Sequence, residues 1–160
     1  MIDYRDKLSD VFDAIDQQIL RILRTEGRAS HAMIAKDVGL SAPAVGERIR
    51  KLEQVGVITG YGAVFDPEKI GVSICAFVAI SPQPRKPGAS LVKSLLELPE
   101  IEELHAVAGQ YSYIAKVRVG NTEELDAFLD RLFMLEGVER TETTMVLKTN
   151  IERPMHLPFI

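Results

Sequence analysis

Between Arg28 and Gly60 the chain reads RASHAMIAKDVGLSAPAVGERIRKLEQVGVITG, and its punctuation leaves room for little but two short helices about a tight turn. Ser30 caps a helix that carries Met33, Ile34 and Val38 inward, and Gly39 ends it. Leu40 packs the turn. Ser41 caps a second helix with Pro43 in its first turn, where a missing N–H costs nothing. Val45, Ile49 and Leu52 fall at i, i+4 and i+7, one buried stripe, while Arg48, Arg50 and Lys51 occupy other faces. Ala35, small and close before Gly39, lets the two helices approach. This order of signals is that of a helix-turn-helix and points to DNA reading. Two helices of an all-α lobe with a solvated basic face, diluted by Glu47 and Glu53, would share the charges but not the order. Gly46 costs ~1 kcal/mol in a helix interior relative to alanine. It is read either as a close approach to a phosphate or groove wall, or as a tolerated defect.

At 160 residues the chain holds one medium domain or two small ones, and 46% apolar residues is a globular composition. No run of ~18 apolar residues is present, so no membrane span is expected. The N-terminus, MIDYRDKLSD, is acidic and polar and lacks a signal-peptide core. Cys75 is the single cysteine, so neither a disulfide framework nor a cysteine zinc site is expected, and a reducing cytoplasm fits. Its expected role is a small buried hydrophobe. The net charge of −4 argues against nonspecific coating of nucleic acid. Residues 1–60 are net neutral and residues 61–160 carry the −4. A DNA contact would therefore be local to the basic helix and would gain affinity from several copies of the chain.

Ile15, Ile19, Ile22 and Leu23 lie at helical spacing within residues 10–25, so residues 1–60 are expected to form a three-helix DNA-binding domain. A β-rich connector at Val57–Phe65 and a turn at Asp66-Pro67-Glu68 before Gly71 place the boundary at 61–71. Residues 72–150 then alternate. A strand at Ser73–Ile80, apolar on both faces, is followed by a loop at Pro82–Gly88 and a helix at Ala89–Leu98. A strand at Ile101–Ala108 turns at Gly109-Gln110 into another at Tyr111–Val119. Glu123 and Glu124 favour the start of a helix carrying Leu125, Phe128, Leu129, Leu132 and Phe133, and Val138–Thr149 closes as a strand.

The two halves of this region echo each other at an offset of 37, pairing Leu95 with Leu132, Leu98 with Leu135, Ile101 with Val138 and Glu102 with Glu139. A duplicated βαβ with antiparallel pairing is the ferredoxin-like arrangement, so the chain is expected to be α+β. Its helices cover one face of the sheet. The apolar residues on the other face then call for another copy of the chain, hence a homo-oligomer. The tail, Ile151–Ile160, is read as packing across a neighbouring subunit or as a frayed end.

The chain resembles the Lrp/AsnC, or feast/famine, family of transcriptional regulators over nearly its whole length. The carriers are Asp16-Gln17-Gln18-Ile19-Leu20, Gly27-Arg28, the helix pair with Leu40-Ser41, and Arg48-Ile49-Arg50-Lys51-Leu52-Glu53. Gly56-Val57-Ile58, Gly60-Tyr61, Asp66-Pro67 with Gly71, and Ala108-Gly109-Gln110-Tyr111-Ser112-Tyr113 complete them. The resemblance implies a winged helix-turn-helix domain followed by a ferredoxin-like domain that binds an amino acid and oligomerises, with dimers often assembled into octamers. By that match Ser41, Ala42, Pro43, Arg48, Arg50 and Lys51 lie at or near double-stranded DNA. Arg28 touches a phosphate or forms a salt bridge within the lobe. The effector segment maps onto Gly109, Gln110, Tyr111, Ser112 and Tyr113, where Ser112 replaces the family's usual aspartate. Serine offers one donor and acceptor without charge, which bears on ligand identity. The same segment also reads as a glycine turn whose tyrosines pack an interface.

His31, His105 and His156 are isolated, with no metal-ligand spacing, and Glu100, Glu102 and Glu103 read as solvated. No GxSxG, P-loop or dinucleotide glycine pattern occurs. Neither catalysis nor a cofactor or metal is expected. An oligomeric amino-acid sensor acting through protein partners, or a small ferredoxin-like enzyme, is the alternative, and neither accounts for the basic helix.

Overall fold

The computed structural model describes residues 12–84 and 88–158. Residues 10 and 11 of the first helical pattern, the acidic N-terminus, Arg85–Pro87 of the proline-rich loop and Phe159–Ile160 of the tail lie outside them. The chain divides into two units, residues 1–64 with 151–160, and residues 65–150.

The first unit contains α1 (Ala14–Thr25), α2 (His31–Val38) and α3 (Ala42–Gln54). Each begins on a side chain that satisfies an otherwise orphaned backbone N–H. Asp13 and Asp16 form a capping box on α1, Ser30 accepts from Met33 N and Ser41 accepts from Ala44 N. Gly39 ends α2 in the left-handed region at φ 71°, which a Cβ would strain. Ile19, Ile34, Val45, Ile49 and Leu52 are buried together, and Ala35 is buried between helices as its size suggests. Met33 is instead 48% exposed and Val38 only half-buried, because so short a helix turns a narrow face inward. The tail, expected across a neighbouring subunit, places Leu157 against this same helical cluster, and Arg24 Nη1 donates to the Met155 carbonyl at 3.4 Å. Val57–Phe65, expected to be β-rich, forms no strand. An extended segment acquires a ladder only where another strand lies beside it.

The second unit opens on an Asx turn, Asp66 Oδ1 accepting from Glu68 N at 3.1 Å and Lys69 N at 3.4 Å. It continues as β1 (Ile74–Pro82), α4 (Gly88–Leu96), β2 (Ile101–Ala106), β3 (Tyr113–Val119), α5 (Thr122–Phe133) and β4 (Val138–Met145). The four strands form an antiparallel sheet in the order β2-β3-β1-β4, the ferredoxin-like arrangement. Ala76, Val78, Ile80, Ala115, Val117 and Val119 face Leu91 and Leu95 of α4 and Leu125, Phe128 and Leu132 of α5. Strand ends differ from the apolar pattern because pairing decides them. β4 stops at Met145, opposite Ala76 and close to the Ile74 end of β1, and does not reach Thr149. β3 begins at Tyr113, opposite Ile80. Phe133, at the end of the α5 stripe, is 59% exposed and takes no part in the core that buries Leu125, Phe128 and Leu132.

Gly46 has a structural explanation inside the first unit. A Cβ there would lie 3.1 Å from His31 Nδ1, so the glycine makes room for the imidazole of α2 against α3. His31 is itself exposed and can turn toward solvent. Gly46→Ala should therefore shift stability by less than ~0.5 kcal/mol alone and stabilise by ~1 kcal/mol in a His31→Ala background. Thermal unfolding of the four proteins of this cycle checks it; additive effects would free Gly46 from the imidazole.

Candidate nucleic-acid interface and effector loop

The capping of α3 fixes what its first turn offers. Ser41 Oγ, 3.3 Å from Ala44 N, is committed to the cap, leaving Ser41 and Pro43 exposed and Ala42 half-buried against the helical core. Since Val45, Ile49 and Leu52 are buried, the opposite face of α3 presents Glu47, Arg50 and Lys51 to solvent. Arg50 Nη1 lies 2.7 Å from Glu47 Oε1, with both side chains more than half exposed. Such a surface pair contributes ~0.2–1 kcal/mol, little enough to exchange for a phosphate. Arg28 is exposed in the α1–α2 turn.

Arg48 is placed differently from the other cations. Its Nη1 lies 2.7 Å from Asp13 Oδ2 and 2.8 Å from Asp16 Oδ1, at the N-terminus of α1. The bond from Asp16 N and the guanidinium hold the Asp13 carboxyl below its ordinary range, and the two carboxylates raise Arg48 further above its own. Sequence reasoning groups Arg48 with Arg50 and Lys51. The signal for its separate role is the acidic pair three residues apart, Asp13 and Asp16, reading as a capping box. Tyr61 is a motif residue to which the sequence assigns no partner; its hydroxyl donates to Glu53 Oε1 at 2.9 Å, and burial pushes the phenol up.

The second candidate site is the loop between β2 and β3. Val107 N donates to the Ser112 carbonyl at 2.9 Å and Ser112 N to the Ile80 carbonyl at 3.1 Å, closing the loop against the end of β1. Gly109, Gln110 and Ser112 are exposed, and a Cβ at Gly109 would meet nothing within 4 Å. The two tyrosines part company. Tyr113 packs against the helix-covered core, its hydroxyl so near Gly88 that a Cβ there would lie 2.8 Å away. Tyr111, in the loop and not in a strand, donates its hydroxyl to Glu142 of β4, and Arg140 sits 4.9 Å from its ring centroid. The hydrogen-bonded Glu142 carboxylate pushes the Tyr111 phenol up. Four of the five expected effector residues are thus on the loop, and the fifth, Tyr113, is mostly a core residue.

Three glutamates expected to be solvated are ion-paired. Glu100 binds Arg131; Glu102 lies 2.7 Å from Arg118 and 3.4 Å from Lys116; Glu103 lies 3.3 Å from Lys116 and 3.1 Å from His105. The cross-strand register that brings Glu102 and Glu103 to Lys116 and Arg118, and the packing that brings Glu100 to Arg131 of α5, are invisible to local sequence pattern. Among the described residues no group of three or more His, Cys, Asp and Glu could hold a metal, and no helix is long and apolar enough to cross a membrane.

Comparison with known proteins agrees with this geometry. Residues 12–53 match the AsnC-type helix-turn-helix domain and residues 75–155 the Lrp/AsnC ligand binding domain. The HTH-type transcriptional regulator FL11 of Pyrococcus horikoshii is 40% identical over 88% of this chain and 92% of its own length. LrpA of Mycobacterium tuberculosis is 37% identical over 94% of this chain and the whole of its own. Among solved structures, a feast or famine regulatory protein of M. tuberculosis complexed with L-methionine superposes with a TM-score of 0.86 at 38% identity, covering 91% of this chain and 99% of that one. A Neisseria meningitidis transcriptional regulator in complex with L-methionine gives 0.86 at 26% identity, covering 92% and 97%. With a DNA-reading helix-turn-helix, a one-sided ferredoxin-like sheet and matches to both domains, the chain belongs to the Lrp/AsnC family of DNA-binding transcriptional regulators and is not an enzyme.

Proposed function

We propose that the chain is an oligomeric, cytoplasmic regulator that reads its operator with α3 and answers to a free amino acid. Residues 1–60 bind DNA, 61–71 connect, and 72–150 bind effector and assemble. The observation that carries the reading surface is the orientation of α3. Its stripe is buried, so Ser41, Pro43, Arg50 and Lys51 stand outward with Ala42 at their edge. Exposed Arg28 adds a phosphate contact beside them. These are few cations on an acidic chain, and several copies acting together supply the remaining affinity. A dimer assembling to an octamer fits that need, and sedimentation of the full chain should return species of two or eight copies; a monomer at micromolar concentration would be contrary.

The effector is an amino acid held at Gly109, Gln110, Tyr111 and Ser112, with Tyr113 as the wall behind. Exposed Gly109 and Gln110 present backbone N–H groups of the kind that meet a carboxylate. Ser112 brings no charge, so an apolar or small side chain is preferred over a lysine-like one. The methionine complexes of two relatives support that preference. An effector coupling of ~1–3 kcal/mol suffices, and DNA must change amino-acid affinity by the same factor.

Two measurements test these readings. Replacing Arg50 and Lys51 by alanine should weaken binding to a selected operator and flatten its salt dependence by up to ~0.9 units of slope for each phosphate no longer neutralised. Wild-type affinity and slope in that double variant would move the reading surface elsewhere. Calorimetry with all twenty amino acids should find binding of an apolar one that Gly109→Val abolishes. Because a Cβ at Gly109 meets open space within the chain, that variant should keep its fold, so silence across the panel or binding untouched by it would rule out the loop as the site.

A further inference from the structure

The cap of α1 and the recognition helix share the same two carboxylates. Asp13 Oδ1 accepts from Asp16 N at 2.8 Å, and Asp13 Oδ2 accepts from Arg48 at 2.7 Å. Asp16 Oδ2 accepts from Asp13 N at 3.3 Å, and Asp16 Oδ1 accepts from Arg48 at 2.8 Å. Each carboxylate thus gives one oxygen to the helix cap and the other to α3. One guanidinium nitrogen bridges both. The buried stripe Val45, Ile49 and Leu52 settles which face of α3 points inward, but apolar contact is non-directional and tolerates rotation and sliding. Charge-assisted hydrogen bonds to two fixed acceptors are directional and remove that freedom.

The position is electrostatically costly for a DNA reader. Two carboxylates against one guanidinium leave an excess negative charge beside the helix that must approach phosphates. A charge kept against the interest of affinity points to a use in geometry. We propose that Arg48 is a positioning residue, which does not touch DNA but clasps α3 to the capped end of α1 and so sets the angle at which the reading face meets base edges. The proposal rests on the reading surface assigned above, and it removes Arg48 from the phosphate-binding set.

The test turns on a sign. Asp13→Asn/Asp16→Asn removes two negative charges from the DNA-binding unit, which by electrostatics alone should tighten all DNA binding. Asparagine keeps a competent N-cap, so α1 retains its start. Titrations of the full chain on a selected operator and on random DNA, over a range of salt, are made at a temperature where circular dichroism shows every variant folded. The clasp predicts about tenfold weaker operator binding, no weakening on random DNA and an unaltered salt slope. Arg48→Ala should do the same and add nothing to the double variant. Tighter binding with a steeper slope would mean that Arg48 is released onto phosphate, and would overturn the clasp. So would a slope lowered by ~0.9 in Arg48→Ala, equal losses on both DNAs, or no change. If the double variant folds poorly, Asp13→Asn alone should give a smaller loss of the same sign, and a gain there overturns the proposal. Lys51→Ala runs alongside: a loss there with none in the aspartate variants sinks the clasp and leaves the reading surface standing.

Discussion

The second unit depends on β1 having a neighbour on both sides. It pairs with β3 along Ile74–Ile80 and with β4 along Ala76–Pro82, so its backbone polar groups are satisfied on both edges. That central place makes its alternate residues, Ala76, Val78 and Ile80, the floor on which α4 and α5 lie. Phe128, Leu132, Leu91 and Leu95 can be fully buried because the floor beneath them is continuous. The connections follow from it too: Ser112 N donates to the Ile80 carbonyl, so the loop proposed to take the effector is fastened to the same strand. Tyr111 of the same loop donates to Glu142 of β4, so movement of the loop would bear directly on both β1 and β4.

The first unit is organised by different means. Three short helices bury a modest core, and much of their definition comes from their ends. Asp13, Ser30 and Ser41 each satisfy a backbone donor, and Gly39 provides the left-handed residue that lets α2 turn into α3. These devices fix where helices start and stop. They leave open how one helix is rotated upon another, and in this unit a long-range ion pair acts on that variable. The same logic explains Gly46, whose missing Cβ admits the His31 imidazole between α2 and α3.

What can be read in the sequence is what is local. Ser30, Gly39 and Ser41 announce their helices within four residues, and the Val45–Ile49–Leu52 stripe is buried as its spacing implies. The repeat at an offset of 37 carries the βαββαβ order. Legibility ends where a residue's fate depends on a distant one. Arg48 lies 35 residues from Asp13, and no periodicity connects them. Met33 and Phe133 share the apolar character of their buried neighbours, yet both are exposed, because which apolar positions are covered depends on the elements packed against the helix. The extended residues after α3 have strand composition without a strand beside them, and composition cannot supply a ladder. Tyr111 and Tyr113 have the spacing of a strand pair pointing to opposite sides. They do diverge, but because the ladder begins at Tyr113 and leaves Tyr111 in the loop.

The outer face of the sheet clarifies how an acidic chain can be a DNA-binding protein. Cys75, Phe77 and Ala79 of β1 lie opposite Arg118, Lys116 and Ile114 of β3, so basic side chains line an apolar strip. Such cations have the composition of a second nucleic-acid surface, but their charge is already neutralised locally. Lys116 and Arg118 have side chains only 12% exposed and pair with Glu102 and Glu103 across the strand. A phosphate would have to displace a neighbouring carboxylate at a half-buried site, which the net loss of solvation opposes. Phe77, in contrast, is 43% exposed, and its burial by another copy would gain apolar area without unpairing any of these charges. The outer face thus suits the protein contact proposed above better than a nucleic acid, and the −4 of residues 61–160 disfavours DNA there relative to the neutral helical unit, where Arg50 and Lys51 stand outward.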